Sequence, residues 1–299
     1  MPEVSYVYPN LSQVYLKSKT MRGGLSERWT LAKEIGCAFI ELPGTLIKNK
    51  TEERITSLDI GDFLSPKEIS ILYTRDDEIP EGLKYILHTE PSLSKPNRYG
   101  RRITPPINWH DEKWASKYLD MILEITSYLD HPPSVIEIHP GYQNNCFEDV
   151  VSFILMILDA YENENGNVPL ILLENRTEQF ISRGRDIKEY WKYVNQDHPN
   201  LVDNSGIVLD VQQLFTKTRG SFVDEFLMIP DDCLKGFHIH TNHKWPKLND
   251  EIPWRFVFGK IREIDHNILI NPEIHQKGRV SQVIKFCNDL LARAGEIKK

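Results

Sequence analysis

The chain has 299 residues, of which 40% are hydrophobic and 26% are charged, and its formal net charge is −7. This composition is ordinary for a globular protein with a sizeable core, and the acidic balance argues against a globally basic nucleic-acid binder. No stretch approaches the roughly 20 apolar residues of a membrane-spanning helix, and the first residues lack the pattern of a secretory signal, so we expect a soluble cytoplasmic protein.

The predicted elements repeat in one order, which is a short apolar run, a polar loop and an amphipathic helix. We predict strands at residues 4–8, 38–42, 85–88, 135–139, 170–174, 206–210, 236–240 and 267–273. These runs are continuous rather than alternating, as in parallel strands that are covered on both faces. Eight β/α units in this length predict an α/β protein with a single (β/α)8 TIM barrel over residues 1–299. An open doubly wound sheet is the alternative, but no GxGxxG turn follows the first strand.

The clearest helices are predicted around these strands. The first spans about residues 26–35, with Gly36 as the left-handed residue that ends it. The others span about residues 111–129, 147–161 and 280–292, where apolar residues recur at helical spacing. Residues 51–80 are polar and contain only a weak strand at 70–74, so we predict an insertion after the second strand.

The cysteines are widely spaced along the chain and form no CxxC pair: Cys37, Cys146, Cys233 and Cys287. Zinc clusters and redox dithiols both need closer spacing. We therefore expect reduced, partly buried thiols.

Most of the apolar runs end in a side chain that can bind a metal: His88, His139, Glu174, Asp210, His240 and Glu273. One such residue alone would be interpreted as a hydrogen-bonded histidine or a helix cap. In a parallel barrel, however, the carboxyl ends of all strands meet at one face. Several carboxylates buried together are costly without a cation. The joint pattern therefore predicts a metal site at the barrel mouth.

The donor types indicate which metals fit. Imidazole and carboxylate without thiolate suit Zn²⁺ best, with Mn²⁺, Fe²⁺ or Co²⁺ as alternatives, and one or two ions are expected. A central site would use Glu174, Asp210, His240 and Glu273, and a second metal beside it would use His88 and His139. Two metals about 3.5–4 Å apart would activate a water and neutralise a leaving group.

The strand-seven run HIH raises the question of which histidine is the ligand. His238 and His240 point the same way because side chains alternate on a strand, and His240 lies nearer the carboxyl end. His240 is therefore the predicted ligand, with His238 one layer below as a residue that supports it. His243 lies beyond the strand, and the second strand carries Glu41; both are candidates for supporting roles. In strand eight, Asn271 could take the place of Glu273.

Several motifs together resemble the endonuclease IV and xylose-isomerase-like TIM-barrel superfamily: EIGCAFIELPG at 34–44, VIEIHPG at 135–141, LILLEN at 170–175, GIVLD at 206–210 and the strand-seven HxH. The resemblance covers nearly the whole chain. HPG after strand four is most similar to the endonuclease IV branch (AP endonuclease family 2), whose members use zinc to cleave DNA beside abasic sites. By position, the resemblance implies that the metal ligands are His88, His139, Glu174, Asp210, His240 and Glu273.

The chain departs from that family at three points. The Asp-x-x-His after strand six is here Asp210 to Gln213, so a histidine ligand is replaced by glutamine, and Gln213 is left as a candidate supporting residue. The Asp-x-His after strand seven is not recognisable, since Asp250 is followed by Ile252 where a histidine is expected. The glycine-rich stretch after LEN is altered to LENRTEQF. One or two metals are therefore expected rather than three.

The loops predicted at the barrel mouth are rich in basic residues: Lys95, Arg98, Arg101, Arg102, Arg176, Arg183, Arg185, Lys217, Arg219, Lys244, Lys247, Lys277 and Arg279. We expect substrate phosphates to contact Arg98, Arg101, Arg102, Arg176 and Lys244, with Tyr99 and Trp245 able to stack on bases. Ordinary solvated loop charge is the alternative, and a sugar phosphate would suit such a rim as well as DNA does.

Three functions follow from these patterns. The first is a phosphodiesterase that cleaves DNA at abasic or damaged sites with metal-activated water, in which Glu174 and Glu273 are the catalytic carboxylates. The second is a sugar or sugar-phosphate isomerase or epimerase, in which the same two carboxylates bind one metal and move a proton. The third is a barrel that has lost catalysis and binds a partner. The expected substrate is DNA or a phosphorylated sugar, with no membrane and no protein partner evident.

Overall fold

The computed structural model describes residues 2–9, 25–44, 66–72, 78–89, 95–96, 102–103, 107–274 and 277–293. Its strands are β1 Val4–Tyr8, β2 Phe39–Pro43, β3 Tyr85–His88, β4 Lys95–Pro96, β5 Arg102–Ile103, β6 Val135–Ile138, β7 Leu170–Glu174, β8 Ser205–Asp210, β9 Leu234–His238 and β10 Ile268–Asn271. Eight of them form a closed barrel in the order β1-β10-β9-β8-β7-β6-β3-β2. Neighbouring barrel strands are parallel. The (β/α)8 prediction is confirmed, and the open-sheet alternative is wrong.

Helices follow the strands around the barrel: α1 Leu25–Glu34, α2 Pro66–Leu72, α3 Glu112–Leu129, α4 Phe147–Asn165, α5 Gly184–Asp197, α6 Val211–Thr218, α7 Phe222–Leu227, α8 Trp254–Ile261 and α9 Val280–Arg293. Gly36 ends α1 with φ +81°, as predicted. Asp111 caps α3 by accepting from the backbone of Lys113 and Trp114. Within the described ranges, no helix is both long enough and apolar enough to cross a bilayer.

The strand predicted at residues 70–74 is wrong for 70–72, which belong to α2. Strands β2 and β3 pair directly, with Ile40 opposite Tyr85, so the closed sheet leaves no edge for another strand there. Pro66 suits the first turn of a helix, and the Ser70 hydroxyl donates to the Lys67 carbonyl at 2.8 Å. Residues 73–77 lie outside the described ranges. The single domain with an insertion at about 51–80 stays a prediction, because the structure describes only 66–72 and 78–80 of that segment.

Three strands end earlier than predicted, so that three candidate ligands lie just beyond them: His139, His240 and Glu273. After His238, the backbone N–H of Ile239 still donates to the Asn271 carbonyl at 2.8 Å. The chain then turns, with left-handed backbone at Asn242 (φ 49°) and His243 (φ 53°). The side-chain alternation nevertheless continues past the strand ends, which keeps these candidates on the inner side of the barrel.

The barrel interior changes from apolar to polar along the strand direction. A buried cluster fills its lower part: Val7, Ile86, Val135, Leu172 and Val208. Two residues further along four of the strands, ionisable side chains occupy the same inner side: His88, Glu137, Glu174 and Asp210. A second apolar core includes residues of the helices. The buried apolar cluster therefore lies beneath a layer of ionisable side chains at the carboxyl ends of the strands, where barrel enzymes have their active sites.

The thiols agree with the sequence prediction at three of four positions. All four cysteines are free, Cys37, Cys233 and Cys287 are buried, and Cys146 is exposed. No cysteine is among the donor groups found in the described part of the chain that could hold a metal.

Candidate metal centre

The first donor group consists of His88 at the end of β3, His139 just after β6 and Glu174 at the end of β7. His88 Nε2 lies 3.1 Å from His139 Nε2 and 3.1 Å from Glu174 Oε2. His139 Nε2 lies 3.2 Å from Glu174 Oε2. Ligand atoms about 2.1 Å from one tetrahedral ion are separated by about 3.4 Å. The three atoms are therefore spaced as the ligands of one metal ion are.

The second donor group consists of Asp210, His240 and Glu273. His240 Nε2 lies 3.1 Å from Glu273 Oε2 and 3.4 Å from Asp210 Oδ2. The other oxygen of Asp210 accepts from the backbone N–H of Gln213 at 2.9 Å and so caps α6. His243 stacks on His240 with ring centres 4.5 Å apart, and its Nδ1 lies 3.7 Å from Glu273 Oε1. His240, His243 and Glu273 offer ligand atoms that lie within 4.8 Å of one another, so this part of the layer could also hold an ion, with Asp210 beside His240.

His238 lies between the two groups. Its Nδ1 is 3.3 Å from Glu273 Oε2 and 3.9 Å from Glu174 Oε2. Because His238 and His240 both approach Glu273 Oε2, the predicted alternation of the HIH run is confirmed. The donor groups are therefore parts of one continuous polar layer.

Some buried atoms of this layer have no hydrogen-bond partner within the described ranges. They are Glu137 Oε2, Glu174 Oε2, Glu273 Oε2 and both ring nitrogens of His238. Buried polar atoms are nearly always partnered in native proteins, and leaving one unpartnered costs about 1–3 kcal/mol. A divalent cation would contact several of these atoms at once. The residues therefore fit a metal by their donor chemistry, by their spacing and by what they leave unsatisfied.

The two carboxylates that face each other across His238 are held in the ionised form. Burial alone would raise the pKa of Glu174, but the charges of His139 and Arg176 outweigh it and hold that pKa well below its usual value. Burial would likewise raise the pKa of Glu273, yet the close imidazoles of His238 and His240 hold it well below the usual value. Both side chains can therefore bind a cation at neutral pH.

The imidazoles carry the complementary charge in the metal-free protein. Burial disfavours the charged form of His240, but Asp210 and Glu273 outweigh it and raise its pKa to about 10. For His88 and His238, burial is likewise outweighed by the surrounding carboxylates, so their pKa values lie well above the usual 6.5. A metal can bind these nitrogens only after they lose a proton.

Zinc binding is therefore expected to release protons at pH 7, and the apparent affinity should rise with pH. Calorimetric titrations in two buffers of different ionisation enthalpy count the released protons.

The stability of the metal-free protein should change in the opposite direction and fall as pH rises, because folding raises these histidine pKa values. Their contribution is fully present below the unfolded value of about 6.5 and is lost as pH rises through about 10. Zinc binding without proton release, or metal-free stability to urea that rises between those pH values, would contradict this assignment.

Glu41 holds His88 from below. Its Oε1 lies 2.6 Å from His88 Nδ1, and its Oε2 accepts from Asn271 Nδ2 at 3.0 Å. This contact turns His88 Nε2 toward His139 and Glu174, because a carboxylate at Nδ1 favours the proton there. Asn271 thus contacts Glu41, whereas Glu273 contacts His240, which favours Glu273 as the strand-eight ligand.

Asn175 joins the ends of β7 and β8. Its Nδ2 donates to the Asp210 carbonyl at 3.2 Å, and its Oδ1 accepts from the Asp210 N–H at 2.8 Å. Asn175→Ala should leave both backbone groups unpaired in a buried place and lower the free energy of unfolding by about 1–3 kcal/mol. Urea titration measures this, with the exposed Asn195→Ala, expected within about 0.5 kcal/mol of wild type, as control. Equal stability of the two variants would show that the Asn175 bridge contributes nothing.

Gln213 and Asp250 lie in two motifs that differ from the family pattern, and each makes hydrogen bonds to loop residues. Gln213 Oε1 accepts from the backbone N–H of Thr177 at 3.2 Å and also from the Thr177 hydroxyl. Asp250 accepts from the Thr241 hydroxyl and from the Lys247 N–H, both at 2.7 Å. Both side chains therefore stabilise loops. The donor groups that the described residues form include neither of them.

The basic rim is only partly described. Arg98, Tyr99 and Arg101 lie outside the described residues, and Arg102 is placed only as part of β5. Arg176 Nη1 lies 3.3 Å from Glu174 Oε1 and so reaches the donor groups. Lys244 is exposed and Trp245 half-buried, with the Arg279 guanidinium 5.5 Å from the Trp245 ring centre.

Two arginines of the predicted rim are paired with acids. Arg185 Nη2 lies 2.9 Å from Glu225 Oε1, and Arg219 Nη1 lies 3.2 Å from Glu251 Oε2. These pairs reduce the charge that the two arginines could offer to a phosphate.

Glu137 is the residue of this layer that the sequence predictions omit. It is buried in β6, and its Oε2 lies 3.2 Å from His238 Nε2 and 3.7 Å from His88 Nδ1. The sequence holds a signal for it, since Glu137 is two residues before His139 and shares its side of the strand.

No protein-family model and no curated protein matches the chain. Solved structures match it over nearly its whole length. A D-tagatose 3-epimerase-like protein is 15% identical with TM-score 0.58 over 98% of both chains. An IolI protein with a bound zinc atom is 14% identical with TM-score 0.56 over 97% of this chain and 99% of that one. An AP endonuclease of family 2 from Brucella melitensis is 14% identical with TM-score 0.54 over 97% and 99%. The predicted resemblance to xylose-isomerase-like TIM barrels is thus confirmed for the fold.

Proposed function

We propose that the chain is a divalent-metal-dependent phosphodiesterase that cleaves DNA at abasic or damaged sites. One or two zinc ions would be held at the barrel mouth by His88, His139, Glu174, Asp210, His240 and Glu273. The observation that carries this proposal is the presence of two adjacent donor groups, one with nitrogen–oxygen distances of 3.1 and 3.2 Å and the other with distances of 3.1 and 3.4 Å.

Two adjacent cation sites suit phosphodiester cleavage better than isomerisation. An in-line displacement develops charge on both the attacking and the leaving oxygen, and paired metals stabilise both. An isomerase that binds one metal through Glu174 and Glu273 would leave the His88–His139 pair without a role. The AP endonuclease from Brucella melitensis shows that a barrel of this fold occurs in a protein of that class.

When bound, the metal would supply Lewis acidity, which lowers the pKa of a bound water to about 7 and neutralises phosphate charge. The protein's own residues would divide the remaining work. Arg176 holds Glu174 Oε1 at 3.3 Å, which leaves Oε2 directed at both histidines of the first group. The Glu273 side chain is 15% exposed, whereas that of Glu174 is fully buried. Glu273 is therefore the carboxylate that a water can reach, and it would accept the proton of the attacking water.

A nicking assay tests the proposal directly. The substrate is an end-labelled duplex with one abasic-site analogue, and the intact duplex is the control. Metal-loaded protein should nick only the modified strand, a chelator should stop the reaction, and added Zn²⁺ or Mn²⁺ should restore it. Protein that retains its metal and produces no chelator-sensitive nicking would contradict the proposal.

A sugar or sugar-phosphate isomerase or epimerase is the second candidate. It is favoured by the contacts of Gln213 and Asp250, because neither side chain belongs to a group of described residues that could hold a metal. Glu174 and Glu273 also face each other across His238, as a pair that moves a proton on either side of a substrate carbon would. One similar structure is that of a D-tagatose 3-epimerase-like protein. Incorporation of solvent deuterium into ketoses, measured by mass spectrometry, separates this function from DNA cleavage.

A further inference from the structure

We propose that Trp109 and Gln179 are positioning residues for His139. They hold the turn that follows β6 by hydrogen bonds from two sides, and so keep the His139 imidazole in the first donor group. This inference rests on the proposed metal-dependent function and concerns two residues to which the family resemblance gives no role.

The turn lies just beyond the sheet. Strand β6 ends at Ile138, and the next residues are His139, Pro140 and Gly141. Pro140 has no N–H to donate, and Gly141 has left-handed backbone with φ +86°. A β-carbon at Gly141 would collide with the side chain of Asn145, which is buried beside it. Contacts from outside the barrel sheet are therefore needed to hold the backbone of this turn.

Trp109 contacts the turn from the loop before α3. It is buried, and its indole Nε1 donates to the His139 carbonyl at 2.8 Å. The indole stacks on Phe153 of α4 with ring centres 4.1 Å apart, and it meets Tyr118 of α3 edge to face at 5.4 Å. Because the ring is packed in this way, its N–H has a fixed direction and holds the His139 carbonyl in place.

Gln179 contacts the turn from the loop after β7. Its Oε1 accepts from the Gly141 N–H at 2.7 Å, and the Phe180 N–H donates to the Gly141 carbonyl at 3.0 Å. Gln179 is buried and belongs to the stretch LENRTEQF, which replaces the family's glycine-rich sequence. The altered stretch therefore has a use in this chain, because it supplies an acceptor and a donor to the turn that carries His139.

The place of the His139 imidazole depends on this backbone. Its Nε2 lies 3.1 Å from His88 Nε2 and 3.2 Å from Glu174 Oε2. Metal–ligand distances tolerate deviations of only about 0.2 Å, so a small rotation of the turn would take this nitrogen out of the site. The two hydrogen bonds thus do for the backbone of a ligand what an outer carboxylate does for its ring.

Metal affinity tests these two residues without reference to activity. Zn²⁺ affinity is measured by competition with a chromophoric chelator for wild type, Trp109→Phe and Gln179→Met. The phenyl ring can still stack on Phe153 but has no N–H, and methionine keeps the length of glutamine without its carbonyl oxygen. Each variant should bind Zn²⁺ about tenfold more weakly, the lower end of the effect of losing an outer partner. The visible spectrum of the Co²⁺-substituted protein should change in both, because the His139 nitrogen moves relative to the metal.

Two matched variants separate positioning from stability. Trp191→Phe also removes a buried indole N–H, which donates to Asp232 Oδ2 at 2.9 Å. Asp232 lies just before the amino end of β9, whereas the donor groups lie at the carboxyl ends of the strands. This variant should therefore lose stability to urea as Trp109→Phe does, but keep wild-type Zn²⁺ affinity. Gln143→Met changes an exposed glutamine just after the turn and should equal wild type in both measurements.

Wild-type affinity and an unchanged Co²⁺ spectrum in one variant would overturn the role of that residue. The same result in both would overturn the inference and leave the proposed function standing. An equal loss of affinity in Trp109→Phe and Trp191→Phe would also overturn the role of Trp109, since the loss would then come from stability alone. Wild-type protein that binds no metal would overturn both the inference and the proposed function. If one of the two variants does not fold, as judged by circular dichroism, the other decides the inference.

Discussion

Glu174→Gln is expected to lower the rate of chelator-sensitive DNA nicking about 10³-fold or more, well beyond the roughly 10–100-fold loss caused by removing an outer partner. Glu174 is the carboxylate that links the layer, because its Oε2 lies 3.1 Å from His88, 3.2 Å from His139 and 3.9 Å from His238. The glutamine side chain has nearly the shape of glutamate but no charge. The substitution should therefore weaken cation binding without leaving a cavity.

Single-turnover nicking of the abasic duplex measures this loss. Glu178→Gln is the matched control, because Glu178 lies in the loop that follows Glu174 but is exposed, and this variant should keep wild-type activity. Nicking by Glu174→Gln within about tenfold of wild type would show that this carboxylate is not at the reacting centre.

Removal of metal is expected to lower the melting temperature by roughly 8–16 °C. Four buried acids share the inner layer with the partly exposed Glu273: Glu41, Glu137, Glu174 and Asp210. A ligand at about 1,000 times its Kd stabilises the folded state by about 4.1 kcal/mol, and each kcal/mol shifts the melting temperature of a large domain by about 2–4 °C. A bound metal would neutralise like charges that the fold holds close together, so its removal should destabilise the whole barrel.

Differential scanning calorimetry before and after dialysis against a chelator measures the shift. Stepwise addition of Zn²⁺ should raise the melting temperature progressively, while Mg²⁺, which prefers oxygen ligands in octahedral geometry, should have little effect. A melting temperature that does not respond to chelator or to Zn²⁺ would mean that histidine–carboxylate contacts alone satisfy the layer.

The sequence contains most of what places the donor groups. Continuous apolar runs predict buried parallel strands, and the ionisable residues that end them converge because a parallel barrel has one carboxyl face. The prediction that His238 and His240 share one side follows from strand alternation alone, and the structure confirms it. The same rule applied to VIEIH at 135–139 predicts that Glu137 shares the side of His139, although Glu137 lies inside an apolar run.

Other features depend on contacts that no local pattern specifies. Gln213 in α6 contacts Thr177, which lies 36 residues earlier in the chain. This contact, which stabilises the loop after β7, exists because β7 pairs with β8. The segment at 70–72 has strand-like residues, yet it is helical because the closed barrel leaves no edge for it. The pairing of Arg185 with Glu225 likewise depends on α5 meeting α7.

The metal content of the purified protein tests the central claim most directly. Protein prepared without added metal or chelator should carry one or two equivalents of a transition metal per chain by inductively coupled plasma mass spectrometry, with zinc the most abundant. The Glu174→Gln variant should carry less. A wild-type chain without stoichiometric transition metal, in a preparation that also fails to take up Zn²⁺ on dialysis, would contradict the metal centre and point to a barrel that binds a partner without catalysis.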